Sequence, residues 1–201
     1  LGLTLLLIIL LTVSSWAHPH AFAETYLTMN FDQNGLSAIK VRWIFDEMFS
    51  TMIAEDFDPD HDGRFSAEEL KVIKKEAFDN LVNFGYFTHI WIEGRRFPVK
   101  WVKDFNAGLR KRRLIYSFTI PCHVAASVAF KRITISPYDP TFYTDMGFAP
   151  KNAFLLQGND DFQVESSVGR SKDITIYYGQ VHPFELRLDS GRNHETWGAI
   201  S

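Results

Sequence analysis

The chain has 201 residues, a net charge of −3 and 15% aromatic residues. This length suits one ordinary domain with its own hydrophobic core. The near-neutral charge and the single short basic run at residues 110–113 argue against a nucleic-acid-binding protein, and this run is predicted to be an exposed turn between strands. A single cysteine, Cys122, excludes an internal disulfide framework.

Residues 1–17 are uncharged and mostly apolar. The stretch 3–13 has the length of a signal-peptide hydrophobic region, and Ser15 and Ala17 fit a cleavage site before His18. Because an initiator Met and a basic leading segment are missing, we expect a signal peptide that is incomplete at its start. The expected location is the periplasm or the exterior of the cell. An uncleaved membrane anchor is the alternative.

After this cleavage the mature chain would begin His18-Pro19-His20. Imidazoles at alternate positions of an extended strand project to the same side, so His18 and His20 can hold one metal ion together with the α-amine. Pro19 has no amide proton, which excludes the copper or nickel mode that needs two deprotonated backbone amides. The fold would have to supply the remaining ligands. The candidates are Glu24, Asp46, His123, Asp139 and His182. The alternative is a solvated terminus with no metal.

An alternating apolar pattern from about Phe22 predicts two strands joined by a turn at residues 32–35. Apolar residues then recur at three- and four-residue spacing over 45–57 and again over 70–84. We therefore predict a pair of helices inserted into a sheet at about residues 45–84.

The segment between these two helices, residues 58–69 (DPDHDGRFSAEE), matches the calcium loop of an EF-hand. Gly63 occupies the position of the sharp turn. The predicted ligands are Asp58, Asp60, Asp62, Arg64 (through its carbonyl), Ser66 and Glu69. Such a loop offers the hard oxygen atoms that Ca²⁺ prefers. The alternative is an acidic turn before a helix, because Ser66 and Glu69 also form a capping-box sequence. The chain has one copy of the loop, which is more typical of a structural clip than of a switch.

The rest of the chain is predicted to be strands separated by Gly, Pro and Asn turns. The predicted strands lie near 89–92, 97–102, 114–120, 128–136, 154, 162, 174–178 and 184–188. We expect an α+β fold, an antiparallel β-sandwich-like domain over residues 18–188 with the EF-hand insertion, followed by a frayed tail at 189–201. The abundant aromatic residues are expected mainly in its core, with a sugar-binding platform as the alternative.

Three segments together resemble one known family. They are HPH at 18–20, WIFDE at 43–47 before the acidic loop, and YDP at 138–140 followed by Phe142 and Tyr143. The chain resembles the domain-of-unknown-function 1007 family, described as uncharacterised periplasmic components of ABC-type transport systems. This resemblance implies a metal-handling accessory role beside nickel/cobalt-type transporters. In the family a bulky residue and an Asp usually follow HPH, whereas this chain has Ala21-Phe22-Ala23-Glu24.

These observations predict a non-enzymatic periplasmic metal-binding protein. Ca²⁺ would bind in the loop, and Zn²⁺, Ni²⁺ or Co²⁺ would bind at His18 and His20 with Asp46 and Asp139 as candidate ligands. Its expected partners are metal ions and a membrane metal transporter. The alternative is a calcium-stabilised envelope interaction or carbohydrate-binding module that uses an exposed row of Trp91, Trp101 or Tyr143. A copper enzyme with a histidine brace would need a second, distant histidine. The candidates for it are His89, His123, His182 and His194.

Overall fold

The computed structural model describes residues 19–193. The strands are β1 (Ala21–Asp32), β2 (Gly35–Phe45), β3 (Thr88–Ile92), β4 (Arg95–Phe97), β5 (Lys103–Arg110), β6 (Arg113–Ala125), β7 (Lys131–Pro137), β8 (Thr144–Phe148), β9 (Phe154–Gln157), β10 (Phe162–Arg170) and β11 (Phe184–Arg192). Two α-helices, α1 (Glu47–Phe57) and α2 (Ala67–Ile73), follow β2. The protein is thus mainly β, and no helix within residues 19–193 has the length and apolarity needed to cross a bilayer.

The strands form two sheets. The first has the order β5-β6-β2-β1-β8, and β9 pairs with β1 beyond β8. The second has the order β10-β11-β7-β3-β4. The buried residues of both sheets belong to one hydrophobic cluster, which includes Val41 of β2, Ile90 of β3 and Leu186 of β11. The predicted two-sheet arrangement of a mainly β chain is therefore confirmed.

The first sheet is mixed, so the prediction of an antiparallel arrangement is wrong for its edge. β1 pairs in parallel with β8 over residues 21–25 and with β9 over residues 27–30. β8 and β9 follow β7 in the chain, so the chain returns from the second sheet to the first before it pairs with β1. Sequence alternation records which face a residue occupies, but it carries no information on the direction of a neighbouring strand.

The hairpin of β1 and β2 has the predicted turn. Gly35 has φ of 124°, and a Cβ at this position would lie 2.1 Å from the carbonyl oxygen of Val124. Only glycine fits so close to the neighbouring strand β6. The alternation of β1 buries Leu27, Met29 and Phe31 in the core, as predicted.

The second helical segment differs from the predicted continuous helix over 70–84. α2 ends at Ile73 and continues as a π-helix (Lys74–Phe78) and a 3₁₀-helix (Asp79–Phe87). Gly85 and Tyr86 have left-handed backbone angles, which kink the chain near the end of this segment. The π-turn shifts the register of the chain and allows Phe78 to be fully buried, with its ring stacked 4.0 Å from that of Phe105.

Three smaller predictions are also wrong. The strand near 97–102 ends at Phe97, because Pro98 follows and has no N–H for a ladder. Residues 174–178 form a turn with one bridge between Ile176 and Val181. The tail is not frayed over 189–192, because β11 continues to Arg192 between β10 and β7. Residues 194–201 lie outside the described part of the chain.

Candidate functional site

The acidic loop connects the end of α1 to the beginning of α2. Asp58 is the C-terminal cap of α1, and Ser66 is the N-terminal cap of α2. Between them Gly63 has φ of 76°, and its N–H donates a hydrogen bond of 3.0 Å to Oδ2 of Asp58. The glycine therefore folds the middle of the loop back onto its first residue, as the sequence predicts for a turn at this position.

Three of the predicted ligands converge. The side chains of Asp58, Asp60 and Glu69 each offer a carboxylate oxygen, and these oxygens all lie within 4.8 Å of one another. Across residues 19–193 this is the one group of three or more His, Cys, Asp or Glu side chains with that spacing. Carboxylates at such distances repel each other, and a cation between them would relieve this repulsion.

Asp58 provides a second, independent observation. Only 3% of its surface is exposed, and its Oδ1 is buried without a hydrogen-bond partner among the described residues. A buried carboxylate oxygen without a partner is costly, so such an atom points to a missing cation or donor. The chemistry of this donor set fits a hard divalent ion such as Ca²⁺.

Two of the other predicted loop ligands, Asp62 and Ser66, have local partners. Asp62 accepts a hydrogen bond of 2.7 Å from the backbone N–H of Arg64 and is not in the carboxylate group. The hydroxyl of Ser66 accepts the N–H of Glu69 at 3.3 Å, while Oε2 of Glu69 accepts the N–H of Ser66 at 2.7 Å. This capping box is the alternative function considered for these residues. It uses Oε2 and leaves Oε1 of Glu69 for a ligand.

The basic run borders the loop. The turn between β5 and β6 contains Lys111 and Arg112, which are exposed, as predicted. These two residues line a cavity of about 420 Å³ together with Asp58 and Gly63. Arg113 is different, because it turns inward and donates from Nε to the carbonyl of Phe45 at 2.7 Å.

The predicted transition-metal site is not assembled from the described residues. His18 lies outside them. The backbone N–H of His20 donates to the carbonyl of Tyr143 at 2.8 Å, and the two rings lie 5.0 Å apart. No group of three potential metal ligands between residues 19 and 193 includes His20, Asp46 or Asp139.

Asp46 and Asp139 instead hold backbone N–H groups. Asp46 caps α1, with Oδ1 accepting from the N–H of Phe49 at 2.9 Å and Oδ2 from that of Phe22 at 2.7 Å. Asp139 accepts the N–H of Thr141 at 2.8 Å and that of Thr144 at 3.1 Å. Asp139 thus stabilises its own turn, whereas Asp46 caps α1 and joins it to the beginning of β1.

The remaining candidate ligands do not converge on one point within residues 19–193, although Glu24 and His182 line one cavity together with Asp46 and Asp139. His123 lines a separate cavity with Arg96 and Lys131. Nδ1 of His182 donates to the carbonyl of Ser171 at 3.1 Å. Glu24 is bonded to Arg113, with 3.3 Å between Oε1 and Nη2.

A cleft of about 750 Å³ is lined by residues that lie in or next to the three segments that resemble the family, although these segments are distant from one another in the chain. Its walls include Phe22 and Glu24 after the histidines, Asp46 before the acidic loop, and Asp139 and Phe142 of the third segment. Sequence reasoning missed two further lining residues, Asp145 in β8 and Arg170 at the end of β10. No motif marks either residue, and only the pairing of β8 with β1 brings Asp145 beside Phe22.

The fold and the site define a two-sheet, mainly β protein with a helix–acidic loop–helix segment and a large cleft. The family described as "Protein of unknown function (DUF1007)" matches residues 3–175, and the chain belongs to this family. It is 30% identical over 128 residues to an uncharacterized 15.5 kDa protein in the trpE 3′ region of Spirochaeta aurantia, covering 64% of this chain and 91% of that relative. It is 26% identical over 153 residues to an uncharacterized protein of Haemophilus influenzae, covering 75% of this chain and 72% of that relative.

Proposed function

We propose that this protein is a non-enzymatic calcium-binding protein whose site is the EF-hand-like loop at residues 58–69. The observation that carries the proposal is the buried Oδ1 of Asp58, which has no hydrogen-bond partner in the described part of the chain and lies beside the carboxylates of Asp60 and Glu69. An ion at this point would be bound by Asp58, Asp60 and Glu69. The carbonyl of Arg64, the side chain of Asp62 and the hydroxyl of Ser66 complete the proposed set.

Calcium would act here as a structural clip. It would join the end of α1 to the beginning of α2, and both helices contribute to the hydrophobic core through Ile53 and Ile73. The loop occurs once, so it lacks the partner loop that sensor EF-hands use in pairs. We therefore expect a dissociation constant in the range of extracellular modules, about 10⁻⁴–10⁻³ M.

The test is a thermal melt with and without millimolar calcium. At 100-fold excess over the dissociation constant, binding stabilises the fold by about 2.7 kcal/mol. For a chain of this size, each kcal/mol raises Tm by about 2–4 °C. Calcium should thus raise Tm by several degrees in the wild type, and magnesium should raise it less.

Asp58→Ala and Glu69→Gln should abolish this calcium-dependent increase. Glu68→Gln is the matched control, because Glu68 lies in the same helical turn but is exposed and paired with Lys71 at 2.8 Å. Its calcium response should equal that of the wild type. If the wild-type Tm is the same in EDTA and in calcium, the loop is not a calcium site.

A transition-metal site at the mature N-terminus is a second proposal. Anchoring of His20 by the carbonyl of Tyr143 favours it, because this bond fixes the backbone of the histidine immediately before β1 begins. Periplasmic location, a link to a membrane transporter and the ligand His18 belong to the same proposal and depend on the family resemblance and on residues 1–18. Elemental analysis of the exported protein tests it: Zn, Ni or Co should accompany Ca and be lost in His20→Ala.

The interaction-module alternative has less support. Trp101 and Tyr143 are exposed, but no ring contact joins them to each other or to Trp91 within the described residues. Tyr143 is paired with His20 instead. These aromatic side chains therefore do not form the continuous row that a flat sugar-binding platform uses.

A further inference from the structure

We propose that the cleft of about 750 Å³ binds an amphoteric small molecule of the amino-acid type. The ligand would place its carboxylate on Arg170, its ammonium group on Asp145 and its apolar side chain on the aromatic wall. This site is separate from the calcium loop and does not depend on it. The volume lies within the range of about 300–1,000 Å³ that is common for small-molecule sites.

Most charged side chains in the cleft already have partners within the protein. Glu24 is paired with Arg113, whose Nε and Nη2 also donate to the carbonyls of Phe45 and Ile44. Asp46 and Asp139 accept backbone N–H groups with both oxygens. These four side chains are therefore already engaged within the protein and shape the walls of the cleft.

Asp145 is the carboxylate that remains. It lies on β8 opposite Phe22 of β1 and is half-buried, and its carboxylate has no hydrogen bond or ion pair within residues 19–193. Burial raises the pKa of its carboxyl group, and the positive charge of Arg170 lowers it. The two charges therefore act on each other across the cleft without forming a direct ion pair. A ligand that carries both charges would fill the space between them.

Arg170 is held in a position suited to a carboxylate. Its guanidinium carbon lies 4.4 Å from the centre of the Phe184 ring, and Nη1 donates to the carbonyl of His182 at 2.7 Å. This bond uses one of the five N–H donors of the side chain. Its other donors have no partner within residues 19–193. Such a stacked guanidinium is a favourable partner for a carboxylate, since two parallel hydrogen bonds can form.

The other chemistries fit less well. A simple anion would meet four carboxylates and two arginines, and a simple cation would meet the free donors of Arg170. A metal ion is disfavoured, because no three His, Cys, Asp or Glu side chains in the described part of this cleft bring ligand atoms within 4.8 Å of one another. Apolar side chains provide a surface for the body of a ligand. They are Phe22, Phe142, Met146, Ile176 and Phe184.

The first experiment is isothermal titration of the full chain with the twenty standard L-amino acids, in the presence of calcium. We expect one or more apolar or aromatic amino acids to bind. If L-phenylalanine binds, the next ligands to titrate are phenethylamine, which lacks the carboxylate, and 3-phenylpropanoate, which lacks the ammonium group. Each truncated compound should bind at least about tenfold more weakly, which corresponds to about 1.4 kcal/mol. For another amino acid, its own amine and acid analogues take their place.

Two variants separate the two charges. Asp145→Asn should weaken binding of the amino acid and of the amine but leave binding of the acid unchanged. Arg170→Gln should weaken binding of the amino acid and of the acid but leave binding of the amine unchanged. Arg95→Gln is the matched control, because Arg95 is exposed and lies outside the cleft. Unchanged circular dichroism and an unchanged calcium response would show that the variants are folded.

Two results would overturn the proposal. The first is that none of the twenty amino acids binds. The second is that one binds but its affinity is the same in Asp145→Asn, Arg170→Gln and the wild type. Neither result bears on calcium binding by the loop. If calcium fails to raise the Tm, the amino-acid titrations still test the cleft.

Discussion

His89 is a buried residue of β3, and its two ring nitrogens have different partners. Nη2 of Arg96 lies 3.0 Å from Nδ1, and because a guanidinium only donates, Nδ1 must accept. Nε2 then carries the proton and donates to the carbonyl of Tyr138 at 3.1 Å. The ring is also stacked on that of Tyr138 at 3.7 Å. The fold thus selects one neutral tautomer of this histidine.

This neutral state predicts a dependence of stability on pH. Burial lowers the pKa of His89 from 6.5 to about 4, and the charge of Arg96 acts in the same direction, whereas the carbonyl of Tyr138 and the charge of Asp139 oppose it. The unfolded chain therefore binds a proton at a higher pH than the folded chain. The stability contribution is complete above pH 6.5 and is lost as the pH falls towards 4. At 1.4 kcal/mol per pKa unit the loss reaches about 3 kcal/mol.

Urea unfolding in EDTA between pH 7.5 and 4.5 measures this effect. Wild type should lose more stability over this range than His89→Gln, whose amide can still accept and donate but does not titrate. His123→Gln is the control, because His123 is exposed, and it should follow the wild type. Parallel curves for wild type and His89→Gln would show that His89 does not titrate differently in the folded and unfolded states.

At the scale of elements, Ser50 connects α1 to the first sheet. Its buried hydroxyl donates to the carbonyl of Asp46 at 2.5 Å and accepts the backbone N–H of Leu114 in β6 at 2.8 Å. Thr51, on the next position of the helix, donates to the carbonyl of Glu47 at 2.8 Å but is exposed and makes no bond to the sheet.

Ser50→Ala should therefore destabilise the fold by about 1–3 kcal/mol, because the N–H of Leu114 is left buried without a partner. Thr51→Ala should change stability by no more than about 0.5 kcal/mol, since surface substitutions rarely do more. Urea unfolding at pH 7.5 compares the two variants. Equal destabilisation would contradict the structural role assigned to the contact of Ser50 with β6.

The sequence predicted correctly those turns and caps whose geometry depends on residues a few positions apart. The turn before Gly35, the cap at Ser66 and the acidic loop each depend on residues a few positions apart. The π-turn at 74–78 does not, because it is stabilised by the stacking of Phe78 on Phe105 and its edge contact with Tyr116 of another strand. Residues 174–178 have a strand-like composition, yet Tyr177 and Tyr178 adopt left-handed backbone angles. Tertiary packing overrode propensity at both places.

At the scale of the molecule, the cleft is assembled from segments that are distant in the chain. Glu24 and Arg113 form its central ion pair although they are 89 positions apart. Asp46 and Asp139 were predicted as metal ligands from their residue type, but their oxygens are used by nearby backbone N–H groups. Asp145 and Arg170 have no sequence signal. The residue types of a site can be read from sequence, whereas their hydrogen-bond partners depend on strand order.

The acidic loop and the two sheets should unfold as one unit. Phe78 is the last residue of the π-helix that follows α2. It is fully buried and contacts the rings of Phe105 and Phe118 in the first sheet. The ring of Trp43 in β2 also lies 6.2 Å from that of Phe87, which leads into β3 of the second sheet. The loop, the helices and both sheets are thus linked through one hydrophobic core.

Phe78→Ala should lower the stability of the whole protein by about 3–5 kcal/mol, because it removes a large ring from a packed core. Far-UV and near-UV circular dichroism should report one coincident thermal transition, and calcium should shift both signals together in the wild type. Phe84→Ala is the control, since Phe84 is 41% exposed, and it should have a much smaller effect. A calcium response confined to the far-UV signal, with a separate transition for the aromatic core, would show that the helical segment is an independent folding unit.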